Sequence, residues 1–129
     1  MAELRRILYV EDEPDIQAVA RLSLEMVGGF EVRICSSGHE ALSAVGEYLP
    51  DIILLDVMMP ELDGPATLAE LKKRPDAAAI PVVFMTAKVQ PHEIAGYKAL
   101  GVAAVIPKPF DPMTLPQQIQ SIWQSARAD

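Results

Sequence analysis

Cysteine, tryptophan and histidine are scarce in this chain of 129 residues: one Cys, one Trp and two His. A single cysteine excludes an internal disulfide framework and fits a reducing compartment, so Cys35 reads as a buried structural thiol. His39 and His92 fall near expected helix starts without partners at metal-ligand spacing, which puts both on the surface. No apolar stretch approaches the ~20 residues of a membrane helix. The charged opening Met1 to Arg6 runs straight into a strand-like segment, unlike a signal peptide. The chain is therefore expected to be cytoplasmic, with no membrane contact. Positive charge is also sparse. Net charge is −7 and the one basic cluster is Lys72-Lys73-Arg74, so direct nucleic-acid binding is not expected. Those three cations suit a helix C-terminus, where they complement the dipole. A Gly-x-Gly-x-x-Gly fingerprint is missing as well. Glu11-Asp12-Glu13-Pro14 stands where a dinucleotide-binding enzyme would carry it, and would repel a pyrophosphate.

What the chain does have is hydrophobic residues, 50% of the total, enough to exclude disorder and to build one domain over residues 1–129 with a real core. Four short apolar runs suit buried parallel strands. Ile7-Leu8-Tyr9-Val10 leads into Glu11-Asp12, and Ile52-Ile53-Leu54-Leu55 into Asp56. Val82-Val83-Phe84-Met85 leads into Thr86, and Val102 to Ile106 leads across Pro107 into Lys108. Phe30, Val32 and Ile34 alternate with Glu31, Arg33 and Cys35, the mark of a half-exposed edge strand.

Helices are expected between these strands. The first starts at Pro14, turns Ile16, Val19, Ala20 and Val27 inward, and stops at Gly28-Gly29. The second spans Gly38 to Tyr48 with Ala41, Leu42 and Val45; the third opens at Asp63 or Gly64 and carries Leu68 and Leu71. The fourth runs from Pro91 to Leu100, closed by Gly101. The last opens at Asp111-Pro112 and buries Leu115, Ile119, Ile122 and Trp123, although Pro116 would remove a hydrogen bond from its second turn. Strand and helix alternating five times imply a doubly wound parallel sheet. Alternation in the second strand and proline in the fifth both suit sheet edges. That is the flavodoxin-like order 2-1-3-4-5.

In such a sheet, ligands bind outside the carboxyl ends of the strands. Glu11 and Asp12 then lie beside Asp56, because the first and third strands are neighbours. One acid at a strand end is an ordinary turn residue. Three at adjacent strand ends repel one another unless a cation intervenes, and carboxylate oxygens suit Mg²⁺. Asp56 is the natural nucleophile, since carboxylates form acyl phosphates. Lys108 is a compact cation for phosphoryl oxygens, and Thr86 offers a hydroxyl donor.

These stretches resemble response-regulator receiver domains of two-component signalling (CheY-like) along essentially the whole chain. The matching segments are Ile7 to Glu13, Leu54-Leu55-Asp56-Val57-Met58-Met59-Pro60 followed by Asp63-Gly64, Met85-Thr86-Ala87, and Pro107-Lys108-Pro109-Phe110. The resemblance implies that Asp56 accepts a phosphoryl group from a histidine kinase or phosphotransfer protein and signals to a target protein or output domain. It implies Mg²⁺ held by Asp12, Asp56 and the Met58 carbonyl, with Glu11 acting through water. It implies phosphoryl contacts from Lys108 and Thr86, and a cis Lys108-Pro109 bond. It also implies that Met58 and Lys88, two residues after Asp56 and Thr86, tune loss of the phosphoryl group.

Two positions depart from the family pattern. Glu11 replaces the commoner aspartate, and Val105 stands where the fifth strand usually carries an aromatic switch residue. Switching by an inward-swinging ring is therefore not expected in its usual form; Tyr97 and Phe84 are read as core. Met58, Met59 and Met85 are expected to flank the site. Other readings are a fold-retaining pseudo-receiver without phosphorylation and an aspartate-nucleophile phosphatase. The latter resembles Asp-x-Asp enzymes, whose second acid is here Met58. The chain is expected to be a single receiver domain and not an enzyme on other substrates.

Overall fold

The computed structural model describes residues 3–127. Five parallel strands form one sheet in the order β2-β1-β3-β4-β5. They are β1 (Arg6–Val10), β2 (Glu31–Cys35), β3 (Ile52–Asp56), β4 (Val82–Thr86) and β5 (Ala104–Pro107). The helices are α1 (Pro14–Leu22), α2 (Gly38–Tyr48), α3 (Gly64–Lys72), α4 (Pro91–Ala99) and α5 (Leu115–Arg127). This is the doubly wound, flavodoxin-like architecture expected from the apolar runs. The edges fall where the residues demand: β2 pairs only with β1, and β5, ending in Pro107, pairs only with β4.

Residues of β3 and β4 are buried throughout, because each face of the sheet is covered by helices. Successive side chains point to opposite faces. Leu8, Val10, Ile53, Leu55, Val82 and Phe84 meet Ala41, Val45, Leu68 and Leu71 of α2 and α3. Ile7, Tyr9, Ile52, Leu54, Val83 and Met85 meet Ala20 of α1 and Leu115, Ile119 and Trp123 of α5. Caps start the helices where expected. The Ser37 hydroxyl accepts from Glu40 N at 3.0 Å, and Asp63 Oδ1 from Ala66 N at 2.9 Å. Tyr97 of α4 packs edge-on against Phe84, with ring centroids 5.4 Å apart, so both aromatics are packing residues as expected.

Three expectations need correction. The first helix does not keep one α-helical face to Gly28, since α1 passes into a π-helical turn over Ser23–Val27. Gly28 N donates to Ser23 O, five residues back. The wider turn rotates the chain, so Leu24 is buried while Val27 is 48% exposed; Val19, in α1 ahead of the turn, is 43% exposed. The last helix begins at Leu115 instead of Asp111-Pro112. Residues 111–114 form a turn held by Asp111 Oδ1, which accepts from Met113 N at 2.9 Å. Pro116 thus falls in the first turn, where a missing N–H costs nothing. Trp123 is buried there and Ile122 only half-buried. The fifth strand is shorter than its apolar run, starting at Ala104 with Val102 buried just before it.

The π-helical register makes a stability prediction. Leu24→Ala should cost about 3 kcal/mol, a core cavity, while Val27→Ala should cost under ~1 kcal/mol. Urea unfolding of both variants checks this; equal losses would return Val27 to the core face.

Candidate functional site

All four strand-end groups lie at the carboxyl edge of the sheet. Parallel register does this directly: Val10 is level with Leu55, Asp56 with Met85, and Thr86 with Pro107. Glu11 continues β1, its backbone N donating to Cys35 O at 2.9 Å, and is fully buried. Asp56 ends β3 and is 3% exposed; Asp12 is half-buried. Ligand oxygens of Glu11, Asp12 and Asp56 come within 4.8 Å of one another.

Lys108 supplies the counter-charge. Its Nζ lies 2.9 Å from Glu11 Oε1 and 3.4 Å from Asp56 Oδ1. The following Lys108-Pro109 bond is cis, as the family resemblance implies. The Lys108 backbone N donates to Thr86 O at 2.9 Å, tying the end of β5 to the end of β4. Thr86 itself is buried at the edge, with its hydroxyl oxygen accepting from Lys88 N at 3.0 Å. Glu11, Asp12, Asp56 and Lys108 are thus brought together, and Thr86 stands next to them with its hydroxyl engaged by the β4–α4 loop.

The loops are shaped to keep this edge closed. Gly64, at the start of α3, donates to Val57 O at 2.9 Å. A Cβ there would come within 2.8 Å of Asp56 O and of Val57 Cα, so the close approach of α3 to the end of β3 requires glycine. The Gln17 amide of α1 donates to Glu11 O and to Ser36 Oγ, bracing the loop after β1. Met58 N reaches Asp56 Oδ1 at 3.4 Å, and the Met58 side chain is 63% exposed above the site. Met59 and Met85 do not flank the site, because both are buried in the core on opposite faces of the sheet. His39 and His92 are exposed, as expected.

One site group escaped the sequence reading. Tyr9 lies in an apolar run and looked like core, yet its hydroxyl is 3.4 Å from Glu11 Oε1. The available signal was parity: residues two apart on a strand share a face. Burial, then the charges of Glu11 and Asp56, push the Tyr9 phenol well above its usual range, so it remains a donor.

Electrostatics follow from two buried carboxylates sharing one ammonium. Burial and the Glu11 charge push the Asp56 carboxyl up to about 6, against the opposing pull of Lys108. Burial alone would lower the Lys108 ammonium. Its bond to Glu11 and the charges of Asp56 and Glu11 outweigh that and raise it above the usual lysine value.

Comparison with known proteins gives the family. A profile of the response regulator receiver domain matches residues 7–120. The chain belongs to the response regulator receiver family. It is 34% identical over 129 residues to response regulator Rre1 of Synechocystis sp., covering 99% of this chain and 55% of that protein. It is 34% identical over 119 residues to response regulator SaeR of Staphylococcus aureus, covering 92% of this chain and 50% of that protein. The chain thus spans about half the length of these curated relatives. Among solved structures, chemotaxis protein CheY4 of Vibrio cholerae superposes with a TM-score of 0.85 at 27% identity, covering 92% of this chain and 98% of that one. This receiver is a signalling protein of the two-component type. No helix among the described residues is long and apolar enough to cross a membrane.

The raised Asp56 value carries a stability consequence. Its folded value of about 6 lies above the ordinary 3.8, so its contribution is present below pH 3.8 and lost as pH rises through 6. In chelator at pH 7.5, Asp56→Asn should therefore be more stable than the natural sequence, by up to about 3 kcal/mol. The gap should shrink toward zero near pH 4. Denaturant unfolding at both pH values is the check, and a gap that does not change with pH would contradict it.

Proposed function

We propose that this receiver takes a phosphoryl group onto Asp56 from a histidine kinase or phosphotransfer protein, with Mg²⁺ bound, and passes the signal to a target protein or output domain. The observation that carries the reading is the buried Asp56 carboxylate, flanked by Glu11 and Asp12 and 3.4 Å from Lys108 Nζ. The donor set fits the metal. Three carboxylates supply hard oxygen ligands, and one ammonium leaves them with excess negative charge. Asp12, Asp56 and the Met58 carbonyl would hold the ion directly, with Glu11 reaching it through water. When bound, the ion offsets the charge that builds between carboxylate and phosphoryl oxygens.

In the transfer, an Asp56 oxygen bonds to phosphorus as the donor's bond to phosphorus breaks, and the donor leaves with that electron pair. Lys108 needs only a small shift from Glu11 to meet a phosphoryl oxygen, because its Nζ already lies between Glu11 and Asp56. Thr86 can donate a hydroxyl hydrogen bond to another phosphoryl oxygen. The receiver in this reading catalyses its own phosphorylation and dephosphorylation and acts on no other substrate. Intact Asp56, Thr86 and Lys108 favour it over a pseudo-receiver, and Met58 in the second-acid position disfavours a phosphatase.

Acetyl phosphate with Mg²⁺ should add one phosphoryl group to the natural sequence and none to Asp56→Asn, read by intact mass. Equal labelling of both would refute the assignment. Chelator should suppress labelling of the natural sequence.

Persistence of the phosphoryl group makes a further prediction. Hydrolysis needs a water held in line with phosphorus. Met58 and Lys88 are both exposed at the rim of the site. Met58 offers no strong hydrogen bond to such a water, and a charged Lys88 has no acceptor for its proton. Self-dephosphorylation should therefore be slow. At fixed Mg²⁺, a Met58→Asn, Lys88→Glu double variant should lose phosphoryl about 10-fold faster than the natural sequence. Equal decay would show that these side chains do not protect it.

A further inference from the structure

We propose that Tyr9 is a positioning residue of the phosphorylation site: its buried hydroxyl holds the Glu11 carboxylate, and through it the Lys108 ammonium, in the arrangement that receives Mg²⁺. This deepens the reading of Asp56 as phosphoacceptor and rests on it. Tyr9 sits in the middle of β1 and is fully buried. Two residues on, Glu11 is fully buried as well, and the two side chains share a face of the strand. Bulk solvent therefore reaches neither group. A buried hydroxyl and a buried carboxylate each need a hydrogen-bond partner, and they meet at 3.4 Å, long for such a bond.

The oxygen that Tyr9 approaches is the one that Lys108 holds. Glu11 Oε1 faces Tyr9 Oη at 3.4 Å and Lys108 Nζ at 2.9 Å, while Oε2 accepts from Glu13 N at 3.2 Å. Three donors on its two oxygens restrain how the carboxylate can turn. Lys108 in turn contacts Asp56 at 3.4 Å, so a rotation of Glu11 would move the ammonium relative to Asp56. Glu11 is one methylene longer than the aspartate commoner at this position. That length gives its carboxylate more freedom to turn and also the reach to meet Tyr9. The two residues therefore act as a pair. An aspartate at position 11 would end short of the hydroxyl and would have no use for it.

A packing role alone is the competing account, since the Tyr9 ring lies in the core with Ala20, Leu24 and Leu54. Tyr9→Phe keeps the ring and removes the hydroxyl. The deciding experiment is a double-mutant cycle of Tyr9→Phe and Glu11→Asp, read by calorimetric Mg²⁺ titration, with urea unfolding as a check that each variant folds. Outer partners that orient a ligand group are worth about 10-fold in metal affinity, which is the weakening expected for Tyr9→Phe beside Glu11. Beside Asp at position 11, the same change should matter less than about 2-fold. Unchanged affinity, or the same loss in both backgrounds, overturns the proposal. Acetyl phosphate labelling runs alongside, and the Tyr9→Phe deficit should disappear at saturating Mg²⁺. A coupled Mg²⁺ cycle in a protein that labels equally as Asp56→Asn would sink the phosphoacceptor reading while leaving Tyr9 as the residue that positions Glu11.

Discussion

Two buried carboxylates share one ammonium, and the carboxyl edge of this receiver is organised around that imbalance. Lys108 bridges Glu11 and Asp56 at 2.9 and 3.4 Å, joining the ends of β1, β3 and β5. Removing ions from water is costly, and the mutual attraction of a pair offsets that only with good geometry and further hydrogen bonds. Here the further bonds come from Tyr9, Glu13 N and Met58 N. The charges still do not balance, because Asp12 adds a third carboxylate beside the two. The proposed metal binding and phosphoryl transfer would both act on this excess charge. A divalent cation would reduce it, and a phosphoryl group would add negative charge on oxygens that Lys108 and Thr86 can meet.

The sheet supplies the convergence without any special folding of the site itself. Parallel strands point every carboxyl end in one direction, and the order β2-β1-β3-β4-β5 puts the reversal of winding between β1 and β3. Helices leave that point to opposite faces, α1 to one and α2 and α3 to the other. The gap they leave is where Glu11, Asp12 and Asp56 meet, as expected at a switch point. Total burial of β3 and β4 makes the edge rigid, because a slip of one residue would turn a core face outward. Rigidity of this kind is what allows contacts of about 3 Å to persist between residues far apart in sequence.

Most of the fold was legible because its signals are local. Short apolar runs marked β1, β3 and β4, and Gly38, Asp63 and Gly101 marked helix ends. The acids were legible because they stand directly after those runs. What failed to show depended on geometry that no local pattern encodes. The π-helical turn at Ser23–Val27 changes which side chains face inward without any proline or glycine to announce it. Asp111-Pro112 is an ordinary helix-opening pair, yet Pro116 moves the start to Leu115. Methionines beside the site motifs looked like site residues, although Met59 and Met85 are core. Tyr9 was hidden for the opposite reason: a tyrosine in an apolar run reads as a ring, and its hydroxyl acquires meaning only once Glu11 is found buried beside it.

Val105 alters the far side of the same edge. A small side chain on β5 leaves no ring there to couple to Thr86, and the neighbouring aromatic contact is made instead by Tyr97 of α4 against Phe84. Every residue of α4 keeps some exposure, so this helix has the weakest hold on the core. Its start is fixed by a capping box between Gln90 and Glu93, and the loop before it by the Thr86 hydroxyl accepting from Lys88 N at 3.0 Å. That oxygen is therefore shared between two jobs. A threonine hydroxyl can donate one proton and accept through its lone pairs, so turning the donor toward the site does not by itself release Lys88 N; movement of the whole side chain does. The physical link between the site edge and α4 in this structure is the Lys88 N to Thr86 Oγ1 bond and the backbone of residues 86–90. That link includes no aromatic ring on β5, and the valine at 105 leaves it intact.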